Sequence, residues 1–228
     1  VTPFELLDWP CPVSNGEVHE ELALAFDHGR ELRLLVLPAC FDEANKLRRQ
    51  TVEIMRRLDL SGIDSFLPDL PGCNESVAEL ASLTLADWRG ASAAAAAHFR
   101  TTHVLALRGG SLVVPDGLPG WQYAPVSGAK ILRALLRSRV IAAREAGRVE
   151  KLEALRERGR KDGVELAGWH IGGTMFSQVE DAVPGDTLSV IDQTMVGGAG
   201  LWLRAEPEEA PEQADALAGV VAIGMTLA

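Results

Sequence analysis

The stretch His103-Val104-Leu105-Ala106-Leu107-Arg108-Gly109-Gly110-Ser111 constrains this chain more than any other. An apolar run, broken by paired glycines and followed by further apolar residues, reads as strand, sharp turn and helix. Val104 to Leu107 suit a buried strand, and Gly109 and Gly110 permit a backbone approach that a Cβ would block. Such a turn places one side chain at the edge of a sheet, and here that side chain is Arg108. A guanidinium keeps its proton in a protein, so Arg108 is a fixed cation and no nucleophile. The plainer alternative is a buried strand with an ordinary Gly-Gly turn.

The rest of the chain can be hung on that stretch. Pro3, Pro10, Pro12 and Gly16 read as an irregular arm over residues 1 to 16. Glu21 to Phe26 reads as an outer strand, joined through Asp27-His28-Gly29-Arg30 to the stronger strand Leu32 to Leu37 in a hairpin. From Asp42 the pattern turns helical, with Leu47, Ile54 and Leu58 on one face. Gly62 to Leu67 gives a further strand, Pro68 to Ser76 a loop, and the alanine-rich segment Leu83 to Phe99 a helix. After the glycine turn come a strand end at Gly120 to Pro125 and a long helical region from about Ala129 to Lys161, with Ser127 able to cap it. An extended piece (Gly163 to His170), a short helix (Gly172 to Asp181) and strands at Leu188 to Val190 and Leu201 to Arg204 follow. Glu206 to Asp215 reads as an acidic loop, and Gly219 to Leu227 as a last strand.

Alternation of strands and helices predicts an α/β fold: one domain over 1–228 with a mostly parallel central sheet flanked by helices, and strands 32–37, 62–67 and 103–107 adjacent or nearly so. Residues of about 129–181 form a helical insertion or cap after the turn. With 228 residues and 47% hydrophobic content, one large core is affordable. No apolar run reaches the ~20 residues that cross a bilayer, and the segment holding Glu5 and Asp8 does not read as a secretory signal. Three cysteines without paired spacing argue against a disulfide framework and against a metal site, so a cytoplasmic protein without metal or cofactor is expected. Gly197-Gly198-Ala199-Gly200 lacks the Gly-Lys-Ser/Thr ending of a phosphate loop. A net charge of −10 argues against nucleic acid as a partner of the whole molecule, yet Lys130 to Lys161 holds 11 Lys and Arg against 4 Glu, +7 against −17 for the remainder. That segment reads either as a solvated helical face or as a surface turned toward anions.

Three local matches resemble the α/β-hydrolase superfamily and, more narrowly, the hydrolase-like proteins associated with the exosortase A system of exopolysaccharide-producing bacteria. Glu43-Ala44-Asn45-Lys46-Leu47-Arg48-Arg49 is similar to the segment those proteins place after the oxyanion-loop strand. Asp69-Leu70-Pro71-Gly72-Cys73-Asn74-Glu75-Ser76 resembles their Asp-Leu-x-Gly-x-Gly-x-Ser loop, with Asn74 where glycine is usual. Leu107-Arg108-x-Gly110, then Pro125-Val126-Ser127-Gly128 and a basic helix, looks like their nucleophile elbow and inserted region. The resemblance spans about residues 20 to 181.

The superfamily's order is nucleophile, acid, then a histidine beyond the last strand, but this chain has no Gly-x-Ser-x-Gly and no histidine after His170. The resemblance therefore implies a degenerate triad. Backbone N–H groups near Cys40, Phe41 and Gly109 would form the oxyanion-type nest by analogy. Arg108, Gly109, Cys40, Phe41 and Asn74 are then the candidate ligand-binding residues, with Lys46, Arg48 or Arg49 nearby, for a small anion or an anionic glycan or lipid-linked compound. A guanidinium with little water around it needs an anion, so Arg108 is expected to meet Asp69, Glu43 or a ligand. The second reading is an active hydrolase of an ester or thioester with Cys40, Cys73 or Ser111 as a displaced nucleophile. The third is a scaffold for polysaccharide export that uses the basic insertion. Oligomeric state has no signature in the sequence.

Overall fold

A computed structural model describes residues 4–13, 16, 18–208 and 210–227. Seven strands form the main sheet: β1 (Glu5–Pro12), β2 (Val18–Phe26), β3 (Arg33–Leu37), β4 (Asp64–Pro68), β5 (His103–Leu107), β6 (Gly120–Tyr123) and, late in the chain, Ser189–Ile191. A hairpin of β7 (Val164–Leu166) and β8 (Trp169–Ile171) stands apart, and Ser189–Ile191 is β9. The order across the sheet is β1-β2-β4-β3-β5-β6-β9. The first two strands are antiparallel to each other and β2 is antiparallel to β4, while β4, β3, β5, β6 and β9 run parallel. The predicted α/β sheet with β4, β3 and β5 as neighbours is what the chain forms.

Helices α1 (Asp42–Leu60), α2 (Leu85–His98), α3 (Gly128–Glu145), α4 (Leu152–Asp162), α5 (Gly173–Asp181), α6 (Gln193–Val196) and α7 (Pro211–Leu227) complete the chain. Alternate residues of the parallel strands face opposite ways. Leu34 and Val36 of β3 meet Ile54, Met55 and Leu58 of α1 and Leu217 and Val221 of α7, whereas Leu35 and Leu37 meet Trp88, Ala91 and the α3 to α5 side. Both faces of the sheet are covered, as a parallel sheet requires.

Several expectations are corrected. Glu5–Pro12 is a strand in place of an irregular arm: Trp9 and Cys11 point inward while Pro10 and Pro12 lie exposed, which an edge strand tolerates. Residues 21–37 are not a hairpin, because β4 lies between β2 and β3. The Asp64 carboxylate draws the 27–30 loop across the start of β4 by accepting from the N–H groups of His28 (3.1 Å) and Arg30 (2.8 Å). After the elbow there is only a single 3-10 turn, Arg108–Leu112, since Pro115 follows closely and restricts the residue before it. The long helix of 129–161 is two helices, divided at Gly147, whose φ of 71° and N–H bond to the Arg144 carbonyl close α3.

Leu201–Leu203 is a 3-10 turn and no strand, and 219–227 belongs to a helix. In α7 the buried set Ala214, Leu217, Ala218, Val221 and Met225 follows helical spacing, so the valine-rich content that suggested a strand is overruled by the stripe it has to bury. Gly224 lets this helix rest on Trp121, where a Cβ would stand 2.2 Å from the indole ring.

Candidate functional site

Four non-glycine residues with left-handed backbone follow the C-terminal ends of neighbouring parallel strands: Phe41 (φ 55°), Asn74 (φ 50°), Arg108 (φ 52°) and Ala124 (φ 44°). Each such residue costs about 1–3 kcal/mol, and strain of this kind gathers where the backbone must aim a group. Ligands of open α/β sheets lie beyond this same edge.

Arg108 follows β5 at the tip of the strand-to-turn elbow. The elbow needs small neighbours, and Gly110 shows why: a Cβ there would lie 2.6 Å from the Pro38 carbonyl oxygen and 2.7 Å from that of Leu37. All three guanidinium nitrogens donate to the protein. Its Nε and Nη2 donate to Oε2 and Oε1 of Glu43 at 2.9 and 3.0 Å, a bidentate fork, and Nη1 donates to the Ala124 carbonyl at 2.8 Å. Its flat face lies 4.0 Å from the centroid of the Trp202 ring. Glu43 reaches it from the first turn of α1, and the positive φ of Ala124 goes with a carbonyl turned toward Arg108 while the Ala124 N–H bonds Ile191. Tyr123 beside it bonds Gln193, and burial pushes the phenol up to about 12. Of the two carboxylates anticipated for Arg108, Glu43 holds it, while Asp69 accepts from Arg48 (3.0 Å) and from the Asn74 amide (2.5 Å).

The other candidate residues divide into two groups. Cys40 lies directly beneath the elbow, close enough that a Cβ on Gly109 would come within 3.0 Å of its Sγ. Cys40, Cys73, Asn74, Trp88 and Trp169 surround a small internal cavity of about 20 Å³. Burial raises the Cys40 thiol far above its ordinary value, and burial together with Asp69 and Glu21 pushes Cys73 up to about 12. Both thiols are protonated at neutral pH and are poor nucleophiles as they stand. Ser111, in the 3-10 turn, is buried and gives its hydroxyl proton to the Arg108 carbonyl. The Phe41 ring is buried, packed against Trp88 (5.4 Å) and edge-on to Trp169 (5.9 Å), so this residue lends the site its backbone alone. Lys46 pairs with Asp42. Among the histidines, His28 sits against Asp59 (3.0 Å), His103 against Thr102 (2.9 Å) and the exposed His170 near Glu165 (3.5 Å).

Outside that internal cavity and sharing Asn74 and Trp169 with it lies an open cleft of about 610 Å³. Asn45 of α1, Asn74 and Glu79 of the loop after β4, and Trp169 and His170 of the β7–β8 hairpin line it. Sequence reading missed Trp202, Trp169 and the Ala124 carbonyl. Periodicity carries no sign of the first, which lies in a non-repetitive turn, or of the third, which is a main-chain group. Trp169 was legible only as part of an extended piece. No group of three or more potential metal ligands occurs among the described residues.

No family model matches this sequence, and no curated protein does. Solved structures do. A putative hydrolase from Agrobacterium vitis S4 matches with a TM-score of 0.54 at 12% identity, over 98% of this chain and 99% of that one. Est1E from Butyrivibrio proteoclasticus, solved with ferulic acid bound, matches with a TM-score of 0.50 at 12% identity, over 98% and 94% of the two chains. At this identity the likeness establishes the fold alone: the chain has an α/β-hydrolase fold.

Proposed function

We propose that this protein is a hydrolase-fold molecule that binds its ligand without cleaving it, in the cleft bounded by Asn45, Asn74, Glu79, Trp169 and His170. The observation that carries the reading is at the elbow: where the fold presents a nucleophile, this chain presents a guanidinium clamped by Glu43. The anion pocket expected at Arg108 thereby takes a particular form, in which Glu43 is the anion. The adjoining cleft offers two amides, a carboxylate, an imidazole and an indole, a set suited to a ligand rich in hydroxyl groups. The sequence resemblance to exosortase A system-associated proteins supports a ligand from exopolysaccharide metabolism, a glycan or lipid-linked glycan.

The test compares wild type, Trp169→Ala and Arg108→Ala by calorimetry against acidic and neutral oligosaccharides, with fluorophosphonate labelling in parallel. Binding weakened at least tenfold by Trp169→Ala, with no covalent label, supports the reading. Labelling of Ser111, Cys40 or Cys73 overturns it in favour of an ester or thioester hydrolase. Loss of binding in a fully folded Arg108→Ala returns the ligand to the elbow.

A further inference from the structure

The inserted helical pair α3–α4 carries charge that the cleft does not use. Three of its cations are held internally: Arg139 by Glu150 (2.8 and 3.1 Å), and Arg156 and Arg160 by Glu180 (2.5 and 2.6 Å). Five others, Arg137, Arg144, Arg148, Lys151 and Arg158, are exposed, and no salt bridge to any of them occurs among the described residues. Arg144, Arg148, Lys151 and Arg158 collect around the turn that joins the two helices, and Arg137 lies further back on α3. Arg137 and Arg144 lie on one stripe of α3 with Ile141 between them, and Arg148 and Lys151 belong to the turn itself.

Two aliphatic side chains share this end with the cations. Ile141 is 59% exposed and Val149 91% exposed. Beside Val149 is a shallow depression of about 330 Å³ with Ala154 and Leu155 in its wall and Lys151, Arg158 and Glu150 at its margin, Glu150 being taken by Arg139. A second hollow of about 210 Å³ lies between the helices, with Leu132, Leu136 and Leu152 inside and Arg133, Arg137, Arg156, Glu153 and Glu180 around them, so its charge is mixed. Glu145, Glu153 and Glu157 are also exposed on this pair, but the cations outnumber them and two aliphatic residues stand at the apex, where a merely solvated helical face has no reason to place them.

We propose that the tip of the α3–α4 pair docks on the surface of a membrane rich in anionic phospholipid. Cations over an apolar floor match a phosphate headgroup above acyl chain, and Ile141 and Val149 are placed to enter between headgroups. The charge of the rest of the molecule, −17 against +7 for Lys130 to Lys161, orients it, because the same surface that attracts this tip repels the body. Attachment is peripheral, since no described helix is long and apolar enough to cross a membrane. Single-stranded nucleic acid fits the surface less well: Lys130 to Lys161 contains no aromatic residue on which a base can stack.

The experiment is co-sedimentation of the full chain with vesicles of phosphatidylcholine alone or with 30% phosphatidylglycerol, at low and at 0.5 M salt. Wild type is expected to partition at least tenfold more strongly onto the anionic vesicles at low salt, and to lose most of that preference at high salt. The variant Arg144→Gln/Arg148→Gln/Lys151→Gln/Arg158→Gln should lose the preference at least tenfold. Val149→Ser should weaken binding severalfold while leaving the charge unchanged, which separates insertion from charge alone; binding unaltered by Val149→Ser would overturn the insertion of this residue. All these positions are exposed, so an unchanged circular dichroism melt is expected. Equal binding to both vesicle types, unaltered binding by the glutamine variant, or tighter binding to a single-stranded oligonucleotide than to anionic vesicles would overturn the proposal.

Discussion

The two edges of the parallel sheet both bury arginine against carboxylate, and they do it differently. At the N-terminal edge five charged side chains interlock. Asp64 takes both the Arg30 and Arg33 guanidinium groups as well as two main-chain N–H groups, Asp59 takes Arg30 and His28, and Arg33 is also forked to Asp27 at 2.9 and 3.1 Å. Arg33 further donates to the Phe99 carbonyl and covers the Phe66 ring. At the C-terminal edge Arg108 has one carboxylate, one carbonyl and one ring, on strained backbone. Redundancy marks the first edge as a clasp that ties the 27–30 loop over β4. The second is a single lock at the tip of the turn after β5.

Removing the hub of the first edge should have the largest effect. Asp64→Ala removes a fully buried acceptor, leaving the His28 and Arg30 N–H groups without their partner and Arg30 and Arg33 with only Asp59 and Asp27, and a loss of about 3–5 kcal/mol is expected in urea unfolding. A loss under 1 kcal/mol would mean that Asp59 and Asp27 stand in for it and that the redundancy, not Asp64, carries the edge. At the second edge, a double-mutant cycle of Arg108→Ala and Glu43→Ala should give a coupling of about 1–3 kcal/mol, the signature of one pair. Additive effects would show that the fork contributes nothing by itself.

The smallest effect is pH-dependent. The hydrogen bonds from Arg33, helped by the Gly29 N–H, hold the Asp27 carboxyl at about 2, below its ordinary 3.8. Because the folded value is the lower one, the stabilisation is complete above about pH 4 and is lost as pH falls toward 2. It amounts to at most about 2 kcal/mol. Asp27→Asn should flatten the acid limb of the stability profile in that window and leave the neutral value lower by the same amount.

What the chain determined unaided is its local chemistry. The Ala106 to Gly110 elbow was legible because glycine sterics act within a few residues, and α1 because Leu47, Ile54 and Leu58 recur at helical spacing. The fixed charge of Arg108 is likewise a property of its side chain alone. Tertiary structure decided everything that depends on which surfaces meet. It inserted β4 between β2 and β3, against the shorter loop that promised a hairpin. It made a helix of the valine-rich end, since the stripe from Ala214 to Met225 had the α1 side of the sheet to cover. It chose Glu43 over Asp69 for Arg108, because α1 starts beside the elbow while Arg48 and Asn74 occupy Asp69. A pairing between groups 65 residues apart is fixed by the packing of their elements, and no local pattern encodes it.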